Sequence, residues 1–264
     1  MLIDTHAHLD FPAFANDLDA VITRAAEAGV TRIIVVGTDV EDSQRSVALA
    51  ERHENLFVVV GVHPNSAIEA QDDAIDHLRK LAAHPKVVAI GETGLDYFRL
   101  PKAETEQKKA VKAAQKRLFS AQLELAAELG LNVVIHQRGD CREETLELMA
   151  PFHNKLRAVF HCFGGSIQEA RELIDLGHLV SFTGIVTFKN GELVQETAAQ
   201  VPANAYMVET DCPFLAPVPH RGERCEPAFT RNTAEKIAAL RNETLEEVAR
   251  QTTATAEAFF RLPR

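Results

Sequence analysis

Three things are scarce in this sequence: long apolar runs, paired cysteines and positive charge. No stretch reaches the roughly 18 uncharged residues that a membrane-spanning helix needs, which excludes a helical membrane protein. The start, Met1-Leu2-Ile3-Asp4, has neither the basic head nor the apolar centre of an export signal, so a cytoplasmic location is expected. The four cysteines, Cys141, Cys162, Cys212 and Cys225, show no short paired spacing. That excludes a zinc ribbon and points to reduced thiols. Acidic residues outnumber basic ones 38 to 28, for a formal net charge of -10. A chain of that sign does not coat nucleic acid by bulk attraction.

What is present is an ordinary globular composition, 46% hydrophobic and 25% charged, which excludes disorder, collagen and coiled coil. The length of 264 residues suits one α/β barrel, a fold that runs to about 250 residues. No Pro/Gly/Ser-rich linker divides the chain, so residues 1–264 are expected to form a single domain. Short apolar, β-branched runs recur at Leu2–Thr5, Arg32–Val36, Leu56–Val62, Val87–Gly91, Asn132–His136, Arg157–His161, Leu179–Thr183 and Tyr206–Glu209. Between them lie stretches with apolar residues at three- and four-residue steps: Asp17–Ala28, Asp42–Arg52, Asp73–Ala83, Glu104–Leu129, Arg142–Ala150, Ile167–Leu176 and Glu192–Ala199. Gly29, Gly130 and Gly177 each stand where a helix C-cap would fall. Eight strands alternating with helices predict a (β/α)₈ TIM barrel. A doubly wound sheet that binds nucleotides would carry a Gly-rich first turn, whereas here that turn reads His6-Ala7-His8.

Polar residues fall at one end of those strands. Asp4, His6 and His8 share a face at period two. Glu92 comes directly after Val87–Gly91, His136 and His161 end the fifth and sixth runs, and Asp211 follows the eighth. Barrel enzymes gather their chemistry from the C-terminal ends of several strands. Six ligands, His6, His8, Glu92, His136, His161 and Asp211, exceed what one catalytic zinc takes. They suit two divalent ions ~3.5–4 Å apart bridged by a carboxylate, and Glu92 lies between the two His pairs in chain order. A mixed His/carboxylate shell leaves Mg²⁺, Mn²⁺ and Zn²⁺ all open.

The segments Asp4-Thr5-His6-Ala7-His8, Gly61-Val62-His63-Pro64, Gly91-Glu92-Thr93-Gly94-Leu95-Asp96-Tyr97, His161-Cys162-Phe163, Val208-Glu209-Thr210-Asp211-Cys212-Pro213 and Leu215-Ala216-Pro217-Val218-Pro219-His220-Arg221-Gly222 resemble the TatD family of metal-dependent deoxyribonucleases. The resemblance runs over essentially the whole chain and implies the same six ligands. It also implies a substrate-phosphate or water contact for His63. Three departures lie around the mouth: Gln137-Arg138-Gly139-Asp140-Cys141 after the fifth strand, Gly164 after His161, and Cys225 before Glu226-Pro227. The helix over Glu104–Leu129 also looks long for the family.

Around the ligands, Asp96, Glu209 and Asp4 are candidates to orient imidazoles. His220, Arg221 and Arg224 form a cationic loop past the last strand, with Arg138 and Lys189 as further rim cations. Guanidinium groups suit phosphate because they bind it as a fork. The Lys108, Lys112 and Lys116 face is read as a solvated helix face, and Cys162 and Cys212 as packing residues. The expected catalytic set is Asp211, Glu92 and His63, with His63, Arg138, His220 and Arg221 on the substrate. The expected reaction is metal-assisted phosphodiester hydrolysis; the resemblance implies DNA as the substrate, cut from a 3′ end, and a barrel mouth that admits a strand end more easily than a stiff duplex fits exonuclease action. The alternative keeps the metals and changes the bond, to an amide, a lactone or an aminoacyl ester such as aminoacyl-tRNA. No protein partner and no membrane association are implied.

Overall fold

The computed structural model describes residues 1–100 and 104–263. Eight strands form one parallel sheet in sequence order: β1 (Leu2–Ala7), β2 (Val30–Val36), β3 (Leu56–Val60), β4 (Val87–Asp96), β5 (Asn132–Arg138), β6 (Ala158–Phe160), β7 (Leu179–Phe182) and β8 (Tyr206–Val208). The helices between them are α1 (Leu18–Glu27), α2 (Val40–Arg52), α3 (Ala74–Leu81), α4 (Glu106–Leu129), α5 (Arg142–Met149), α6 (Ile167–Asp175) and α7 (Glu192–Gln200). Strand runs such as Leu56–Val60 are buried throughout, as parallel strands covered by helices require. The expected (β/α)₈ barrel is what forms.

The barrel closes between β8 and β1 just beyond the regular ladder. Ala7 bridges Cys212 in parallel, the His8 N–H donates to the Cys212 carbonyl (2.9 Å), and the Asp211 N–H donates to the His6 carbonyl (2.9 Å). The seam thus ties three of the expected ligand positions to one another through the backbone.

Several elements differ from the sequence expectation; strand β5 runs on to Arg138, so His136 lies inside it and does not end it. Strand β4 does not stop at Gly91 but runs on to Asp96, so Glu92 lies inside the strand rather than after it. Apolar periodicity hides this, because Gly91 and Gly94 interrupt the pattern. Both glycines are needed where they stand: at φ 139° and 140°, a Cβ would strike the Val134 and His136 carbonyl oxygens of β5. The register between β4 and β5 slips between Ile90 and Thr93, and Glu92 lies within that slip. After β8 the chain also adds two helices that the strand count did not foresee, α8 (Thr230–Arg241) and α9 (Leu245–Phe260). The signal for α9 was the capping box Thr244-x-x-Glu247, which is formed. Helix α9 closes the N-terminal end of the barrel, where Asn132 donates to the Phe259 carbonyl (2.6 Å) and Arg32 pairs with Glu257.

Candidate metal centre

All six expected ligands meet at the C-terminal mouth, and Glu92 stands at the centre of them. Its two oxygens face different groups. Oε1 lies 2.6 Å from His136 Nδ1 and 2.7 Å from His161 Nε2. Oε2 lies 3.3 Å from His6 Nε2 and 3.9 Å from His8 Nε2. Asp211 joins the second group, with Oδ1 3.3 Å from His8 Nε2 and 3.8 Å from His6 Nε2. The Asp211 backbone is left-handed (φ 59°), which sets its carboxylate over the β1 ligands instead of continuing β8. The His6 and His161 rings stack at 4.0 Å between centroids and so join the two groups.

The outward nitrogens of the imidazoles show which inward ones are free to ligate. His8 Nδ1 faces the Val36 carbonyl (3.0 Å), so that nitrogen carries the hydrogen and Nε2 keeps its lone pair. His136 turns Nε2 toward Asp96 Oδ2 (3.5 Å), and His161 turns Nδ1 toward Glu209 Oε1 (3.5 Å). Those two approaches are longer than a formed hydrogen bond, but they aim each far ring nitrogen at a carboxylate, as metal-bound imidazoles are aimed. Asp96 and Glu209 are anchored in turn. Asp96 Oδ1 accepts from the Phe98 N–H (3.0 Å), and Glu209 accepts from the Cys162 N–H and the Ser181 hydroxyl (both 2.7 Å). His6 is fully buried, and neither of its ring nitrogens has a hydrogen-bond partner among the described residues. An orphaned buried imidazole beside two carboxylates is costly alone and is satisfied by a cation. The donor set therefore fits divalent metal ions.

His63 differs from the other rings. Its Nδ1 accepts from the Asn65 N–H (3.0 Å), which leaves the hydrogen on Nε2, pointed at His136 Nδ1 (3.2 Å) and Glu92 Oε1 (3.5 Å). Burial works to lower its pKa, against the pull of Glu92. It lies close enough to Glu92 and His136 to count as a third ligand of that group, yet in this tautomer it offers an N–H and no lone pair.

Electrostatics bind the cluster together. Burial works to raise the Glu92 pKa, but His161, His63, His6 and the bond from His136 overcome it and hold Glu92 well below the usual range. Burial likewise works to lower the His161 pKa, and Glu92 and Glu209 overcome it and push His161 well up.

The remaining expectations divide. Asp4 is buried but orients no imidazole: it accepts from the Thr210 N–H (2.9 Å) and hydroxyl (2.6 Å), and so holds the residue before Asp211. Arg221 reaches the rim with one N–H on the Ala216 carbonyl (2.8 Å) and its plane 3.7 Å from the Phe188 ring. Arg138 lies over Phe98 (4.9 Å) and has no acidic partner among the described residues. His220 stacks on Phe229 (3.8 Å) and pairs with Glu223 (3.1 Å). Arg224 leaves the rim set, because it forks onto Asp17 (2.7 and 2.8 Å) behind the loop. The basic face of α4 is paired as well: Lys108 with Glu104, Lys116 with Glu144, and Lys112 over the Tyr97 ring.

Two residues escaped the sequence reading. Gln122 on α4 accepts from the Val62 N–H (2.8 Å) and donates to the Val62 carbonyl (3.0 Å) and the Thr93 hydroxyl (2.7 Å). Gln115, one heptad earlier, does the same for Asp96, accepting at 3.0 Å and donating at 3.3 Å. These amides act as a strand's backbone would, fixing the neighbours of His63, Glu92 and His136. The signal was two amides seven residues apart on the apolar stripe of α4.

The profile of the family described as TatD related DNase matches residues 3–261. An uncharacterized metal-dependent hydrolase of Bacillus subtilis, YabD, is 39% identical over 262 residues, covering 99% of this chain and all of that one. A 3′-5′ ssDNA/RNA exonuclease TatD from Enterobacter lignolyticus is 38% identical over 248 residues, or 92% of each chain. Among solved structures, YJJV, a TatD homolog from Escherichia coli K12, superposes with a TM-score of 0.90 at 29% identity, covering 99% of this chain and 98% of that one. The chain belongs to the TatD related DNase family and is a metal-dependent hydrolase.

Proposed function

We propose that this protein hydrolyses phosphodiester bonds at the 3′ end of single-stranded DNA, with two divalent ions held by His6, His8, Glu92, His136, His161 and Asp211. The observation that carries the two-ion reading is Glu92, whose Oε1 and Oε2 face separate His groups. The TatD exonuclease named above supports the choice of substrate. Bound ions would acidify a water and offset charge on the phosphate oxygens. Asp211, the least enclosed carboxylate of the cluster, orients that water and accepts its proton. The His63 Nε2–H donates to a phosphate oxygen, held in that tautomer by Asn65. Arg221 and Arg138 receive the flanking phosphates from the rim, and His220 sits beside Arg221.

The test uses purified protein with Mg²⁺, Mn²⁺ or Zn²⁺, given a single-stranded oligonucleotide beside a panel of amides, lactones and aminoacyl esters. Progressive shortening from the 3′ end is expected, and Asp211→Asn abolishes it with the circular dichroism spectrum unchanged. Turnover of the panel with DNA left intact would overturn the nuclease reading and leave a hydrolase of another bond.

A further inference from the structure

Of the fourteen phenylalanines in the chain, twelve are buried or half-buried and only Phe98 and Phe214 are exposed. A random scatter of exposed apolar side chains needs no explanation, but these two both lie in loops at the metal end, after β4 and β8. They are not equivalent. Phe98 has the Arg138 guanidinium 4.9 Å from its ring. Phe214 is 50% exposed and follows Asp211 by three residues, and its N–H donates to the Asp211 carbonyl (3.0 Å). Its ring meets Phe11 nearly at right angles, 84° at 5.9 Å, so this contact uses at most one of its faces. Phe11 in turn stacks on His8 at 5.0 Å, and the Phe214 centroid lies 6.4 Å from the His8 ring.

The geometry points to Phe214 as a nucleobase platform, on which the base of the nucleotide whose phosphate enters the cluster stacks. This rests on the phosphodiesterase reading above and narrows it. An aromatic face held rigid one residue layer from the candidate metal ligands spans the distance between a phosphate and its own base. Stacking of this kind accepts any base, because every base has a π face. It also explains how a chain of net charge -10 can hold a nucleic acid end: rim cations meet the phosphates, and an uncharged ring holds the base. Phe11 is the positioning residue behind the platform, and its contact with His8 ties the platform to the metal end.

The experiment compares two single-stranded oligonucleotides, one ordinary and one with abasic residues at its 3′ end, on the metal-loaded protein. For Phe214→Ala, kcat/KM on the ordinary strand falls about tenfold, kcat/KM on the abasic strand changes by less than about twofold, and bound metal is unchanged. Phe214→Trp restores the wild-type preference for the strand with bases. Leu193→Ala, an equally exposed apolar residue on α7, alters neither substrate. Equal loss on both strands shows that Phe214 acts through the metal end, and no loss on either shows that it binds no base; each outcome overturns the platform. A wild-type protein that cleaves neither strand with any of the metals overturns the phosphodiesterase reading itself, and the platform falls with it.

Discussion

Buried histidines gather at both ends of this barrel, and the two groups are built differently. At the N-terminal end His178 is fully buried, yet both its nitrogens are used: Nδ1 accepts from the Ala158 N–H (3.2 Å) and Nε2 meets His153 Nδ1 (2.9 Å). No carboxylate is paired with either ring among the described residues, and burial lowers the His178 pKa to about 4. At the C-terminal mouth the rings point inward at Glu92 and Asp211, and neither His6 ring nitrogen has a hydrogen-bond partner among the described residues. The first group is complete with protein atoms alone, and the second is complete only with something added. Burial of an imidazole by itself says nothing about ligation; the hydrogen-bond inventory of its nitrogens does.

The comparison can be broken most severely at Glu92. Glu92→Gln removes the charge that both His groups face, and bound metal and hydrolytic activity should fall by more than about a hundredfold, since changes behind the ligands alone cost up to that much. Elemental analysis and the oligonucleotide assay measure this. Retained stoichiometric metal would refute the bridging role.

A chelator gives the next largest effect and should act on one end only. Stripping metal held at 100 times its dissociation constant removes about 2.7 kcal/mol of stability. Thermal melts with and without chelator should show this loss in the wild type and little of it in Glu92→Gln.

The smallest expected effect lies at the base. His178→Phe leaves the Ala158 N–H unpaired and should cost about 1–2 kcal/mol in denaturant unfolding, with metal content and turnover unchanged. His178 also sets a pH dependence. Its pKa is depressed from 6.5 to about 4, so between those values the unfolded chain binds a proton that the folded chain refuses. Stability therefore falls as pH drops from 6.5 toward 4, and His178→Phe should flatten that part of the profile. An unaltered slope would show that His178 is already protonated in the fold.

Most of the site was legible because its residues stand at strand ends, where an apolar run turns abruptly to His, Glu or Asp. His6, His8, His136, His161 and Asp211 carry that signature. Glu92 carries it in weaker form, since two glycines interrupt the apolar run around it. The rim cations were harder. Arg221 and Arg224 read alike as sequence, yet Arg224 is taken up by Asp17, some two hundred residues away in the chain, while Arg221 faces Phe188 at the mouth. Gln115 and Gln122 were passed over because an amide on a helix stripe declares nothing until its partner backbone is known.

The sequence by itself determined the barrel, the end at which the candidate site sits and the kinds of atom found there, because alternation of strand and helix and the change from apolar residues to His, Glu and Asp are local in the chain. Only the tertiary structure decided which nitrogen of each imidazole is free, that Glu92 gives one oxygen to each group, and which arginine reaches the mouth. Those depend on partners brought together by barrel closure: β8 against β1, β4 slipped against β5, and α4 reaching β4 and the turn after β3 through its glutamines. A hydrogen bond is fixed by distance in space, and separation along the chain does not encode it.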